Sequence, residues 1–198
     1  MDLTSVLDKV WNYLGVSGYV IAFSLVLSII DWITQGLLSA LFAYNIKRTF
    51  IHGEVQRFVL SPFLHANFAH FQGNMISFAI FGPLIERRIG LEEYLMLFLL
   101  GHLGSIIVSS LIEIWSNTFS VGLSGVIYAF QTAYFILVFN NPTSFWEKIA
   151  GYLGVLWIIQ DLWRSFWSGI FRSQHDNIDH WGHLGGIISG IFYVRFFT

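Results

Sequence analysis

Three clusters in this 198-residue chain carry groups able to do nucleophilic or acid–base chemistry. The first is "VGLSGVIYAF", residues 121–130, where Ser124 lies between Gly122 and Gly125 in a stretch apolar enough to enter a bilayer, with Tyr128 one helical turn later on the same face. A serine hydroxyl attacks a carbonyl only when a base removes its proton, and histidine is the usual base because its pKa lies near neutrality. The second cluster is a duplicated "GHLG", which offers His102 and His183. The surrounding glycines separate them: Gly182, Gly186 and Gly190 form a small-xxx-small ridge that lets another helix approach almost backbone to backbone. Nucleophile and base must come within about 2.6–3.2 Å, and Gly125 with Ala129 offers a matching small strip on the serine helix. His183 is therefore the expected base. His102 is expected to be a packing histidine bonded to a neighbouring helix.

The third cluster is "HANFAHFQGN", with His65, His70 and Asn74. Attack on an amide creates a tetrahedral oxyanion that needs donors already aimed at it, and His70 and Asn74, one helical turn apart, fit that role. His65 is expected to anchor its loop by satisfying buried backbone groups. Asp179 precedes His183 by one turn and could orient the imidazole, but a helix-starting aspartate favoured by the helix dipole is the expected role. Asp31, Gln160 and Asp161, within or near apolar stretches, are read as structural. The pair His180 and His183 in "HWGH" has a spacing compatible with a metal, yet no HExxH accompanies it and no carboxylate is recognised in sequence as completing a zinc site, so metal: none is the reading. No GxGD suggests aspartyl chemistry, and the absence of cysteine excludes a thiol nucleophile and disulfides.

These residues need a scaffold, and composition says of what kind. Hydrophobic residues make up 55% of the chain and charged residues 11%, with a mean hydropathy of +0.64, far from the balance of a water-soluble globule. A formal net charge of -2 without a basic block points to no nucleic-acid partner. A spanning helix needs about 20 mostly apolar residues, and six stretches qualify, at roughly 18–43, 69–86, 92–115, 120–139, 147–168 and 180–197. Residues 1–16 show apolar positions at helical spacing opposite Asp8, Lys9 and Asn12, as in a helix lying along the membrane interface, and lack the basic start of a signal peptide. Residues 17–198 then form one membrane domain, with an ordered polar loop between its first two spans. Six spans put both termini on one side; lysines and arginines divide evenly between the sides, and the dense pair Arg87 and Arg88 tips the termini toward the cytoplasm. Trp163, Phe166 and Trp167 suggest either a lateral gate or an aromatic interface belt.

Taken together, "HANFAHFQGN", "ERRIG", "GLSG" and "HLGGIISG", in that order over roughly residues 56–190, resemble the rhomboid family of intramembrane serine proteases. The resemblance implies an all-α, polytopic six-transmembrane-helix bundle with a long structured loop between the first two spans. It implies a dyad of Ser124 as nucleophile and His183 as general base, with no third acid. Tyr128 would orient the His183 ring by stacking, and His70, Asn74 and the Ser124 backbone N–H would serve the oxyanion. Arg57 matches the arginine of the family's Trp-Arg loop motif, with Gln56 in place of the tryptophan, and Glu86 and Gly90 match positions that support the turn after the second span. The implied partners are single-span transmembrane protein substrates and the lipid bilayer, with no cofactor, in a prokaryotic cell membrane. The competing reading is a catalytically silent rhomboid-like protein that binds transmembrane segments, against which the presence of both dyad residues argues. A transporter is weaker still, since the paired broken spans of inverted repeats are missing.

Overall fold

A computed structural model describes residues 2–112, 118–141, 144–171 and 179–198, with side chains described except at residue 3 and residues 165–171. Among the described residues all regular structure is helical, apart from one isolated antiparallel bridge between Tyr44 and Ser120. The helices are α1 (Leu3–Leu14), α2 (Val16–Ile33), α3 (Leu37–Phe42), α4 (Gln56–Leu60), α5 (Phe68–Ile89), α6 (Leu91–Ile112), α7 (Ser124–Asn140), α8 (Phe145–Phe171) and α9 (His180–Phe197). Of these, α2 and α6 are long and apolar enough to cross a membrane by length and composition, with mean hydropathies of 1.9 and 2.2, and α7 is a shorter apolar helix. The chain divides into two compact units, Met1–Tyr94 with Glu113–Leu123, and Leu95–Ile112 with Ser124–Thr198.

In the first unit, polar side chains are spent on loose backbone ends. Every helix leaves its first N–H groups without an intrahelical partner. The Glu86 carboxylate takes up the Val16 N–H at 3.1 Å where Gly15, at φ 55°, breaks α1 from α2. The expected first span, 18–43, is two helices rather than one: α2 stops at Ile33, and Gln35 and Gly36 follow with positive φ. Asp31 explains the break, because its carboxylate accepts from the Ser39 N–H at 2.8 Å and the Ser39 hydroxyl at 2.5 Å, starting α3 anew. Asp31 thus has the structural role expected of it, and the interruption at residues 34–36 leaves no mark in the hydropathy.

Between α3 and α5 the chain takes a π turn at Lys47–Ile51, the helix α4 and a 3-10 turn at Ser61–Phe63. Arg57 is the organising residue. Its side chain is 2% exposed and donates to the carbonyls of Ala43 and Ala40, both at 2.9 Å, while pairing with Glu54. Gln56, beside it, is exposed. The second expected span becomes α5, capped by Asn67, whose side chain accepts from the His70 N–H at 2.9 Å, and closed by Gly90 at φ 86°. Inside α5, Gly82 lies against Ser17, whose hydroxyl is 2.9 Å from that of buried Tyr94.

The second unit is organised by glycine. A Cβ built on Gly186 of α9 would stand 2.2 Å from the Gly125 carbonyl oxygen of α7, and one on Gly190 would stand 2.6 Å from the Ala129 carbonyl oxygen. Gly185 packs as tightly on α6, with the Gly104 carbonyl oxygen 2.1 Å from a built Cβ. Helices in apolar surroundings gain little from hydrophobic exclusion and associate through such close packing. Gly186 and Gly190 of the expected ridge interlock with the strip of Gly125 and Ala129, whereas Gly182 faces Ser105 of α6. Ser189 adds a hydroxyl donor to the Leu100 carbonyl at 2.9 Å. Replacing Gly186 by valine forces two backbones apart and is expected to cost about 1–3 kcal/mol, the range for overpacked interiors. Thermal unfolding in detergent measures this, and an unchanged midpoint would show that the seam tolerates a side chain.

Candidate active site

The chain approaches Ser124 along a segment pinned within the first unit. Tyr44 and Ser120 exchange two backbone hydrogen bonds of 2.9 Å, and the Gly122 N–H donates to the Ser61 carbonyl at 3.0 Å. Gly122 has φ 117°, which favours glycine, and a Cβ there would lie 2.7 Å from His70 Cε1, 2.8 Å from His70 Nε2 and 3.2 Å from Asn74 Nδ2. The first glycine of "GLSG" is thus required twice over, by backbone conformation and by contact. His70 and Asn74, one turn apart on α5, meet each other at 3.2 Å between Nε2 and Nδ2. His70 is partly exposed and Asn74 is buried.

His65 takes the anchoring role expected of it. It is fully buried, its Nδ1 lies 3.3 Å from the Ser28 hydroxyl of α2, and its carbonyl accepts from Trp32 Nε1 at 3.0 Å. Burial pushes its imidazole down to about 3, and nearby His70 adds to the effect. The ring is therefore neutral at any working pH.

In the second unit, Ser124 opens α7 and is partly exposed, whereas His183 lies in the first turn of α9 and is 7% exposed. The Tyr128 ring stacks on that of His183, with centroids 4.4 Å apart and an interplanar angle of 26°. Asp179 is the N-cap of α9 and accepts from the Gly182 N–H at 2.7 Å, so its charge is committed to the helix end, as expected. His102 is buried on α6. Trp163 is exposed on α8, and the side chains of Phe166 and Trp167 lie outside the described residues.

The residue that sequence reasoning missed is Asp161. Read as structural, it instead holds His183: its Oδ2 is 2.7 Å from His183 Nδ1, and its Oδ1 is 3.8 Å from His180 Nδ1. An ionised carboxylate only accepts, so this contact suits the His183 tautomer that carries its proton on Nδ1. The available signal was general: an ionisable residue in an apolar helix needs a partner, and the question was which one. Asp161, His180 and His183 also present ligand-type atoms within 4.8 Å of one another, so the carboxylate that the "HWGH" reading lacked does exist. The Nδ1···Oδ2 separation is shorter than the roughly 3.3 Å between two ligands of a tetrahedral zinc ion with bonds of about 2.0 Å. As it stands, the cluster is hydrogen-bonded rather than arranged around an ion.

Residues 52–198 match the sequence profile of the Rhomboid domain, which is well over half of the chain. The chain belongs to the rhomboid family. It is 30% identical over 170 residues to RHOMBOID-like protein 9, chloroplastic, of Arabidopsis thaliana, covering 83% of this chain and 36% of that one. It is 27% identical over 165 residues to Rhomboid-like protein 14, mitochondrial, of the same plant, covering 77% and 46%. Rhomboid protease GluP of Bacillus subtilis (strain 168) is 29% identical over 140 residues, covering 71% of this chain and 25% of that protein. The chain spans less than half the length of each of these relatives. Rhomboids are integral membrane proteins, and the family includes serine proteases. Because organellar plant proteins stand beside a bacterial one, the similarity does not support the narrower expectation of a prokaryotic cell membrane.

His65 gives the rhomboid chain a pH-dependent stability. Its folded pKa of about 3 lies below the unfolded value near 6.5, so between these limits the unfolded chain binds a proton that the folded chain refuses. Stability is unaffected above that window and falls as pH drops into it, by about 2 kcal/mol between pH 7 and pH 5 for one site. Unfolding midpoints compared at the two pH values should fall further for the parent than for His65→Gln; equal losses would remove His65 as the cause.

Proposed function

We propose that this chain is an intramembrane serine endopeptidase that hydrolyses peptide bonds in or near the transmembrane segments of membrane-anchored, single-span proteins. The observation that carries this reading is the α7–α9 seam. The closest backbone approach, Gly186 to the Gly125 carbonyl, falls one residue after Ser124 and three after His183, at the level where a hydroxyl on one helix must meet an imidazole on the other. Tyr128, on the same helix as Ser124, sets the plane of the ring.

In the proposed reaction, Ser124 Oγ attacks the scissile carbonyl carbon while its proton passes to His183 Nε2. The imidazolium then gives that proton to the leaving amine, and a water molecule, deprotonated by the same nitrogen, releases the acyl group from Ser124. The oxyanion is assigned to the Ser124 backbone N–H with His70 and Asn74, which touch Gly122, two residues before the nucleophile. No cofactor takes part. The six longest helices, α2 and α5 to α9, are proposed to cross the membrane with both termini cytoplasmic, and α1 to lie along its surface. A substrate helix has its amides internally bonded, so cleavage falls where small residues let it unwind near the interface.

Two measurements test the reading on bilayer-embedded protein. A fluorophosphonate should label Ser124 in the parent and fail to label Ser124→Ala or His183→Ala, which should also cleave no transmembrane substrate. Asn74→Ala should keep detectable turnover, reduced by about 10²–10³-fold as for loss of one oxyanion donor. A folded parent that takes up no label favours instead a silent binder of transmembrane segments.

A further inference from the structure

Three carboxylates of this chain serve backbone. Asp31 accepts from the Ser39 N–H, Glu86 from the Val16 N–H and Asp179 from the Gly182 N–H, each restarting or capping a helix. Asp161 differs. It lies in the middle of α8, away from either helix end, and its short contact is to a side chain on another helix, His183 Nδ1 at 2.7 Å. The side chains are 12% and 9% exposed, so water competes little for the bond.

We propose that Asp161 is a positioning residue for the reaction at Ser124, a third member that holds the His183 imidazole in the tautomer with Nδ1 protonated and steadies its charged form. The inference rests on the hydrolase reading above and deepens it. Three constraints act on one ring. The α9 backbone fixes where it starts, since the His183 N–H bonds to the Asp179 carbonyl at 3.1 Å. Tyr128 fixes its plane by stacking at 4.4 Å. Neither of these chooses between the two nitrogens, because a stacked ring is indifferent to which one bears hydrogen. Asp161 makes that choice, since a carboxylate acceptor is satisfied only by Nδ1–H.

The proton balance is simple. When the Ser124 Oγ–carbon bond forms, the hydroxyl proton moves to Nε2 and the ring becomes a cation. Nδ1 keeps its own proton throughout, and Asp161 stays ionised, so the charge that develops on the ring faces a fixed anion in surroundings of low dielectric. His180 Nδ1 lies 3.8 Å from the other carboxylate oxygen, a second imidazole beside the same anion.

The discriminating substitution is Asp161→Asn, which keeps the size of the side chain but turns an obligatory acceptor into a group that can offer an N–H to Nδ1, favouring the wrong tautomer. With full-length protein in lipid and a single-span substrate, Asp161→Asn is expected to lower kcat by about 10²–10⁴-fold with KM little changed, and Asp161→Glu to recover part of the loss. Nitrogen NMR of histidine-labelled parent should show His183 with Nδ1 protonated and Nε2 bare at neutral pH, a pattern lost in Asp161→Asn. A merely structural aspartate would lower the unfolding midpoint without moving that signature. An active parent whose Asp161→Asn variant keeps kcat within about threefold, or a folded parent whose His183 bears its proton on Nε2, overturns this role and leaves the hydrolase standing. A parent without fluorophosphonate labelling or turnover sinks the hydrolase first, and this role with it.

Discussion

Close backbone contact between α7 and α9 is the constraint from which the rest of the second unit follows. Two helices carrying ordinary side chains at their crossing sit 8–10 Å apart axis to axis. At that spacing, a short serine side chain on one helix and an imidazole on the other reach each other only if the crossing beside them is stripped of Cβ atoms. Gly186 against Gly125 and Gly190 against Ala129 do this, and Gly185 against Gly104 brings α6 to the same helix. The cost is conformational, since each glycine in a helix interior is worth about 1 kcal/mol less than alanine. Close packing and the Ser189 to Leu100 hydrogen bond offset it.

A second theme is how ionised groups survive in so apolar a chain. A charge removed from water must be given strong partners. For four of them the partners include backbone groups that helix ends leave unsatisfied, so one contact solves two desolvation problems. Glu86 starts α2, Asp31 starts α3, Asp179 starts α9, and Arg57 takes the carbonyls of Ala40 and Ala43 at the end of α3. Against that background, the carboxylate of Asp161 on an imidazole stands out as an arrangement that helix capping does not explain.

Much of this was legible before any coordinates. The glycine ridge on α9 and its partner strip on α7 followed from spacing, because three- and four-residue repeats fall on one helix face whatever the surroundings. The anchoring of His65 and the capping by Asp179 followed from local rules as well. The break at residues 34–36 did not, because residues 18–43 read as one continuous apolar stretch and only the reach of Asp31 to Ser39 divides it. Nor did the partner of Asp161, since no periodicity relates residue 161 to residue 183 across two separate helices.

By itself, then, the sequence determined the all-helical class, the apolar stretches and the rhomboid motifs, and it named the candidate reactive groups, all of which rest on composition and on spacing within a few turns. The tertiary structure alone decided which acid meets Nδ1 of His183 and which caps a helix end. Those outcomes depend on side chains distant in sequence arriving within about 3 Å of each other, a matter of packing that local spacing does not encode.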